Sequence, residues 1–221
     1  MSKAPRRLHT GPSGRAALPS ARLNGMVLPL EIVPAGAALA RAHRQADDPV
    51  FFGPGAGISA TWRFDSLTGA FGVLYVGAGL AGALVETLPR NPRRRMVAYG
   101  DLVSRASSEL RCPRDLRLVD LHGAGLRRLG LDNAISTGPC VPCGAWSEAL
   151  WVHPDAPDGI AWRSRHDPRE ICFALFERPG LKFAVAPSVA LPGSTAGSRD
   201  YPRPIRQVDR RTAVLSAARP C

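Results

Sequence analysis

Lysine is almost missing from this chain. Lys3 and Lys182 are the only two in 221 residues, so nearly all the basic charge is arginine. Aromatic residues make up only 6%, which argues against a surface built to stack many bases. Cysteine is sparse and odd in number: Cys112, Cys140, Cys143, Cys172 and Cys221. Five thiols at those spacings form no disulfide framework and fit a reducing compartment, so a cytoplasmic location is expected. Cys140-Val-Pro-Cys143 has no second ligand pair at similar spacing, so no metal is expected there. Long apolar runs are lacking too. Residues 66–85 carry no charge, but Gly69, Gly72, Gly77, Gly79 and Gly82 interrupt them and Asp65 and Glu86 flank them. They read as a strand, a turn and a short helix rather than a membrane span. Arg6-Arg7 has no apolar stretch behind it, so no secretory leader is expected. There is no internal repeat.

The length suits one domain, large enough to bury roughly 70% of the surface of its unfolded chain. A 45% apolar and 21% charged composition excludes wholesale disorder and fibrous architecture. The formal net charge is +11, and its placement matters more than its size. Residues 1–29 hold five basic residues and no acid. Residues 195–221 hold six arginines and two aspartates. The middle, 30–194, holds 18 basic and 16 acidic residues. Both ends are rich in Pro, Gly, Ser and Ala without periodicity. They read as flexible basic arms on a middle segment, 30–194, that holds the domain. A nucleic-acid-binding protein acting through these arms is one alternative.

Short extended segments are expected at 28–32, 39–44, 62–64, 71–76, 95–103, 116–121, 159–163 and 171–176. Short helices are expected at 80–88, 125–129 and 146–153. Pro89 and Pro92 stop the first helix. Short strands and helices without regular βαβ alternation predict an α+β fold. Gly77-Ala-Gly79-Leu-Ala-Gly82 is a literal GxGxxG between a strand and a helix, with Asp101 about 20 residues on. A Rossmann oxidoreductase is therefore a second alternative. Against it, the helix is too short for a crossover and no further βαβ unit follows. Tight turn and close helix–strand packing explain the glycines as well.

Several ordered segments resemble the RES domain, over roughly residues 34–176. Pro34-Ala-Gly-Ala-Ala-Leu-Ala-Arg41-Ala-His43-Arg44 looks like the family's opening strand, and Phe51-Phe-Gly53 like the loop after it. Trp62-Arg63-Phe-Asp65 and Gly69-Ala-Phe-Gly-Val-Leu-Tyr75-Val look like its central region, and Ala83-Leu-Val-Glu86 like its short helix. Ile135-Ser-Thr-Gly138, Trp146 and Asp158-Gly-Ile-Ala-Trp-Arg-Ser164-Arg resemble its second half. The sequence departs from that pattern at Ala40, where an aromatic is expected, and at Cys140 and Cys143. The resemblance implies a single ADP-ribosyltransferase-like domain of short twisted sheets and short flanking helices. It implies cleavage of the nicotinamide–ribose bond of NAD, by hydrolysis or phosphorolysis or as an ADP-ribosylating enzyme. NAD is then the substrate, with no cofactor. The resemblance further implies the toxin of a bacterial toxin–antitoxin pair, with a helix-turn-helix antitoxin as partner. A homo-oligomer remains open, and no membrane is involved.

The residues accord with that chemistry. Departure of nicotinamide leaves an oxocarbenium-like ribose, which a carboxylate can face. Glu86 is the one acid between Asp65 and Asp101 and is set in an apolar helix, so it is the expected catalytic carboxylate. Arg41 sits mid-strand among Leu and Ala, an awkward place for a lone guanidinium unless it holds a pyrophosphate or ribose. Ser164, after a strand, is expected to hydrogen-bond the nicotinamide ribose or amide, with Ser136 as its competitor. Arg63 is a second phosphate candidate, Tyr75 a stacking residue, and His43 shares the strand face of Arg41 and is expected beside the pocket.

Overall fold

The computed structural model describes residues 16–54, 58, 60–88 and 97–191. The elements run β1 (Leu30–Val33), β2 (Ala38–Arg44), β3 (Val73–Gly77), α1 (Leu80–Thr87), α2 (Tyr99–Val103), β4 (Arg105–Arg111), β5 (Leu116–Leu121) and α3 (Gly123–Arg128). Then follow α4 (Ala134–Thr137), α5 (Cys140–Trp151), β6 (Gly159–Arg163), β7 (Ile171–Phe176), β8 (Ala184–Val185) and β9 (Val189–Ala190). All nine strands join one mixed sheet in the order β1-β5-β6-β7-β3-β2-β4-β8, with β9 also on β4. Only β5 and β6 run parallel; every other pair is antiparallel. This is an α+β domain. A largely antiparallel sheet with an eight-residue α1 is not a Rossmann fold.

Both faces of the central strands are covered, so these strands read as near-continuous apolar runs. On β3, Val73 faces one core and Leu74 and Val76 the other; on β7, Ala174 and Phe176 oppose Phe173 and Leu175. The first core contains Ile135 of α4 and Cys143, Trp146 and Leu150 of α5, packed on Val119, Leu121, Ile160 and Trp162. Aromatic contacts tie it together: Phe71 stacks on Trp151 at 4.4 Å between centroids, and Phe64 lies 5.0 Å from Trp162. Pro142 sits in the first turn of α5, where its missing N–H would have had no partner.

Part of the segment expected as an N-terminal arm, residues 1–29, packs on the domain. Ala16, Leu23 and Leu28 are buried in the first core, and the Ala17 carbonyl accepts from Trp146 Nε1 at 2.7 Å. Three apolar residues separated by polar and proline-containing spacers show no period, although each fills a core position. Residues 1–15 and 195–221 lie outside the described residues.

Two further expectations change. The strand expected at 95–103 is α2 over Tyr99–Val103, and the strand is β4 at Arg105–Arg111. Residues 62–64 form a turn rather than an extended piece, closed by Asp65 Oδ2 accepting from Thr61 N at 2.8 Å and Trp62 N at 2.6 Å. The GxGxxG glycines serve packing: a Cβ on Gly77 would sit 2.5 Å from Ala83 N of α1. One on Gly82 would sit 3.2 Å from the Ile171 carbonyl of β7.

Candidate active site

The site begins where the sheet loosens. β2 and β3 pair at only one position, Ala40 with Gly77, whereas β2 and β4 pair along seven. Further along β3, Gly53 takes the place of β2 by bridging to Val73. The gap leaves the Tyr75 carbonyl without a strand partner on that edge. Arg41 fills it: its Nη1 donates to Tyr75 O at 3.0 Å, while its Nε is buried with no acceptor among the described residues. Burial lowers the Arg41 pKa to about 10, against the opposing pull of Asp47 and Asp48. A cavity of about 200 Å³ adjoins it, lined by Arg41 and Tyr75 together with residues of the 51–62 loop.

Tyr75 lies in the middle of β3, and its hydroxyl is fixed from two sides. It donates to Asp65 Oδ1 at 2.9 Å and accepts from Phe64 N at 2.9 Å. Its ring meets Trp162 edge-on at 6.1 Å. Burial pushes its pKa well above the usual phenol range, and the Asp65 charge pushes the same way. Asp65 is fully buried; burial raises its pKa, opposed by the hydrogen bonds from Trp62, Thr61 and Tyr75. The sequence places Asp65 at the flank of an uncharged stretch and in a segment of the resemblance, with no role of its own. A lone acid before a turn gave no sign that it would anchor a tyrosine ten residues on.

Glu86 and Ser164 come together directly. The Ser164 hydroxyl donates to Glu86 Oε1 at 2.5 Å. It also accepts from His166 N at 3.1 Å and Asp167 N at 3.3 Å, so its proton is directed at the carboxylate. α1 brings Glu86 to the site, and the end of β6 brings Ser164. Cys172 of β7 holds α1 in place through Sγ to the Gly82 carbonyl at 3.7 Å.

His166 was not singled out from the sequence. It follows Ser164 by two residues, and Arg165 Nε donates to its Nε2 at 3.2 Å. Burial lowers its pKa, Glu86 opposes that, and Arg165 and Arg63 add to it. Its charge environment therefore links Glu86 to Arg63.

The other expected residues stand as follows. Arg63 Nη1 donates to the Gly138 carbonyl at 2.8 Å, and more weakly to Ile135 O and Cys143 Sγ, both at 3.5 Å. It thus ties the 60–65 turn to the start of α5. His43 does not line the Arg41 cavity. It is buried, with Nε2 at 2.9 Å from Ser108 Oγ of β4 and Nδ1 at 2.8 Å from the Arg44 carbonyl. Sharing a strand face with Arg41 was correct; the neighbouring β4 claims that end of the face. Ser136 is buried in α4 beside core residue Ile135.

Of the CxxC pair, Cys143 is a free buried thiol donating to Ile135 O at 3.1 Å, and burial raises its pKa. Among the described residues, Glu31, Asp120 and His122 form one group of metal-ligating types. His122 there lies between the two carboxylates, 3.1 Å from Glu31 and 3.2 Å from Asp120, pinning β1 to the end of β5. No described helix is long and apolar enough to cross a membrane.

Comparisons with known proteins agree with this architecture. Probable toxin y4kH of Sinorhizobium fredii (strain NBRC 101917 / NGR234) is 38% identical over 87 residues, 39% of this chain and 66% of that protein. The matched part is thus just under two thirds of that relative's length. A chain in the crystal structure of the M. tuberculosis MbcT–MbcA toxin–antitoxin complex superposes with a TM-score of 0.53 at 16% identity. It covers 74% of this chain and 88% of that one, a likeness of fold. The RES domain profile matches residues 38–194, which include Arg41, Arg63, Tyr75, Glu86 and Ser164, and the chain belongs to the RES domain family.

Proposed function

We propose that this protein cleaves the nicotinamide–ribose bond of NAD, with NAD as substrate and no cofactor. The observation that carries the reading is the Ser164–Glu86 hydrogen bond at 2.5 Å, a carboxylate oriented by a directed hydroxyl. In the reaction the C1′–N bond breaks and nicotinamide leaves with the bonding pair, which neutralises its pyridinium. Water forms the new bond to C1′ and gives up one proton to solvent, or an unprotonated phosphate oxygen forms it and gives up none. Glu86 faces the cationic ribose as charge develops, Ser164 keeps the carboxylate aimed, and Arg41 meets the anionic part of the dinucleotide.

The relatives support a biological setting. One is named a probable toxin, and the other comes from a toxin–antitoxin complex. We infer that this chain is likewise a toxin, held inactive by a separate antitoxin protein in the cytoplasm. The test is release of nicotinamide from NAD by the purified protein, with and without phosphate. Wild type releases it and Glu86→Gln does not, with unchanged circular dichroism. No release by wild type under either condition overturns the reading.

A further inference from the structure

The β1 edge of the sheet gathers a set of groups separate from Glu86 and Ser164. Glu31 of β1 is paired across from Leu118 of β5. Asp120, two residues after Leu118, lies on the same face by strand alternation. His122 follows by two more, where the chain leaves β5 for α3. One donor atom from each of the three lies within 4.8 Å of the others. The side chains are largely covered: His122 is 17% exposed, Asp120 22% and Glu31 32%. Asp120 is also held in place. Its Oδ1 accepts from His122 N at 2.8 Å, and a Cβ on Gly125 of α3 would sit 2.6 Å from its Cγ.

Ring protons alone do not balance this group. His122 Nε2 lies 3.1 Å from Glu31 Oε2, and Nδ1 lies 3.2 Å from Asp120 Oδ1. A neutral ring has one proton for these two oxygens, so one nitrogen lone pair faces a carboxylate. A second ring proton serves both contacts but leaves one negative charge over. Among the described residues neither carboxylate has an arginine or lysine ion-pair partner, in a chain with 29 basic residues. A divalent cation at Nε2 balances both carboxylates. Nδ1–H then donates to Asp120, the carboxylate–histidine–metal arrangement that fixes a ligating ring. The 3.1 Å between Nε2 and Glu31 Oε2 is close to the roughly 3.3 Å between neighbouring ligand atoms of a tetrahedral zinc site. An imidazole nitrogen in the set favours zinc over magnesium or calcium, which take oxygen ligands. We propose that Glu31, Asp120 and His122 bind a zinc ion, with water completing its shell. The ion ties edge strand β1 to the end of β5 and the start of α3.

The test titrates the full chain, first stripped with a chelator, with zinc chloride in a calorimeter. Wild type binds one zinc ion per chain. Glu31→Gln keeps the side-chain shape and an acceptor for His122 but removes a charged ligand. It weakens binding at least ~10-fold, the least that loss of even an outer-shell partner costs. His122→Ala weakens binding at least as much, and circular dichroism checks that both variants fold. Zinc at 100 times its Kd raises the melting temperature of wild type by about 5–10 °C, and that of His122→Ala by less than half as much. No zinc binding, or zinc binding unchanged in Glu31→Gln, overturns the proposal, and so does a wild-type melt that zinc leaves unmoved. An equal rise with magnesium chloride overturns the choice of zinc. Each arm reads binding or melting rather than turnover, so its outcome is independent of the NAD-cleaving reading.

Discussion

Tyr75→Phe removes a single oxygen, and the structure says what that oxygen holds. It accepts from Phe64 N at 2.9 Å and donates to Asp65 Oδ1 at 2.9 Å. Without it the Phe64 N–H has no partner, at ~1–3 kcal/mol for a buried donor. The fully buried Asp65 also loses one of three hydrogen bonds, each worth ~1.5–3 kcal/mol when the acceptor is charged. Allowing for local relaxation, the expected loss of stability is about 2–4 kcal/mol. The loss depends on pH, and the sign follows from Asp65. Burial raises its pKa in the folded protein, with the Tyr75 hydrogen bond opposing. A carboxyl raised on folding favours the fold at low pH, and that advantage is lost as pH rises through its folded-state value. Removing the hydroxyl raises Asp65 further, so the penalty is larger at about pH 7.5 than at about pH 4.5. Urea unfolding followed by tryptophan fluorescence measures it, since Trp162 lies against Tyr75. A change below about 0.5 kcal/mol, or one identical at both pH values, refutes the argument.

Two further outcomes follow from neighbouring contacts. Ser164→Ala leaves Glu86 without its directed donor and lowers kcat for nicotinamide release about 10²-fold; undiminished kcat would show that Ser164 serves only its own turn. Arg114→Ala breaks a two-pronged contact, at 2.6 and 2.8 Å, with the buried Asp158, and lowers stability by about 2 kcal/mol at neutral pH. Arg114 helps hold the Asp158 pKa below the usual carboxyl range, so the deficit shrinks as pH falls through that range; a deficit constant down to acid pH in urea melts contradicts this.

What the sequence disclosed tracks how strongly each segment is patterned. β5, β6 and β7 are apolar runs bounded by turns, and all three stand within their expected ranges. β4 was displaced because Arg-Ala-Ser-Ser-Glu-Leu-Arg buries Ala106, Ser108 and Leu110, and a serine in the alternation hides the period. α5 begins six residues before the expected start, with Pro142 accommodated in its first turn. Glu86 and Ser164 were legible as an isolated acid in an apolar helix and a serine closing a strand, but their mutual hydrogen bond was not. His166 was not legible, since its place depends on a loop folding back to α1. His43 failed for a related reason: strand periodicity gives the face, whereas the neighbouring strand decides what lies over it.

β7 is seventh in chain order but fourth across the sheet, between β6 and β3. Among the described residues it gives β3 its only full-length partner, and β6 its only antiparallel one. As the chain is made, Arg41, Tyr75, Glu86 and even Ser164 are all synthesised before the strand that brings their supports together. Every residue of the candidate site therefore precedes, in the chain, the strand that joins β6 to β3. Closure of the sheet waits on the β3–β7 pairing, between segments distant in sequence, a slow kind to form.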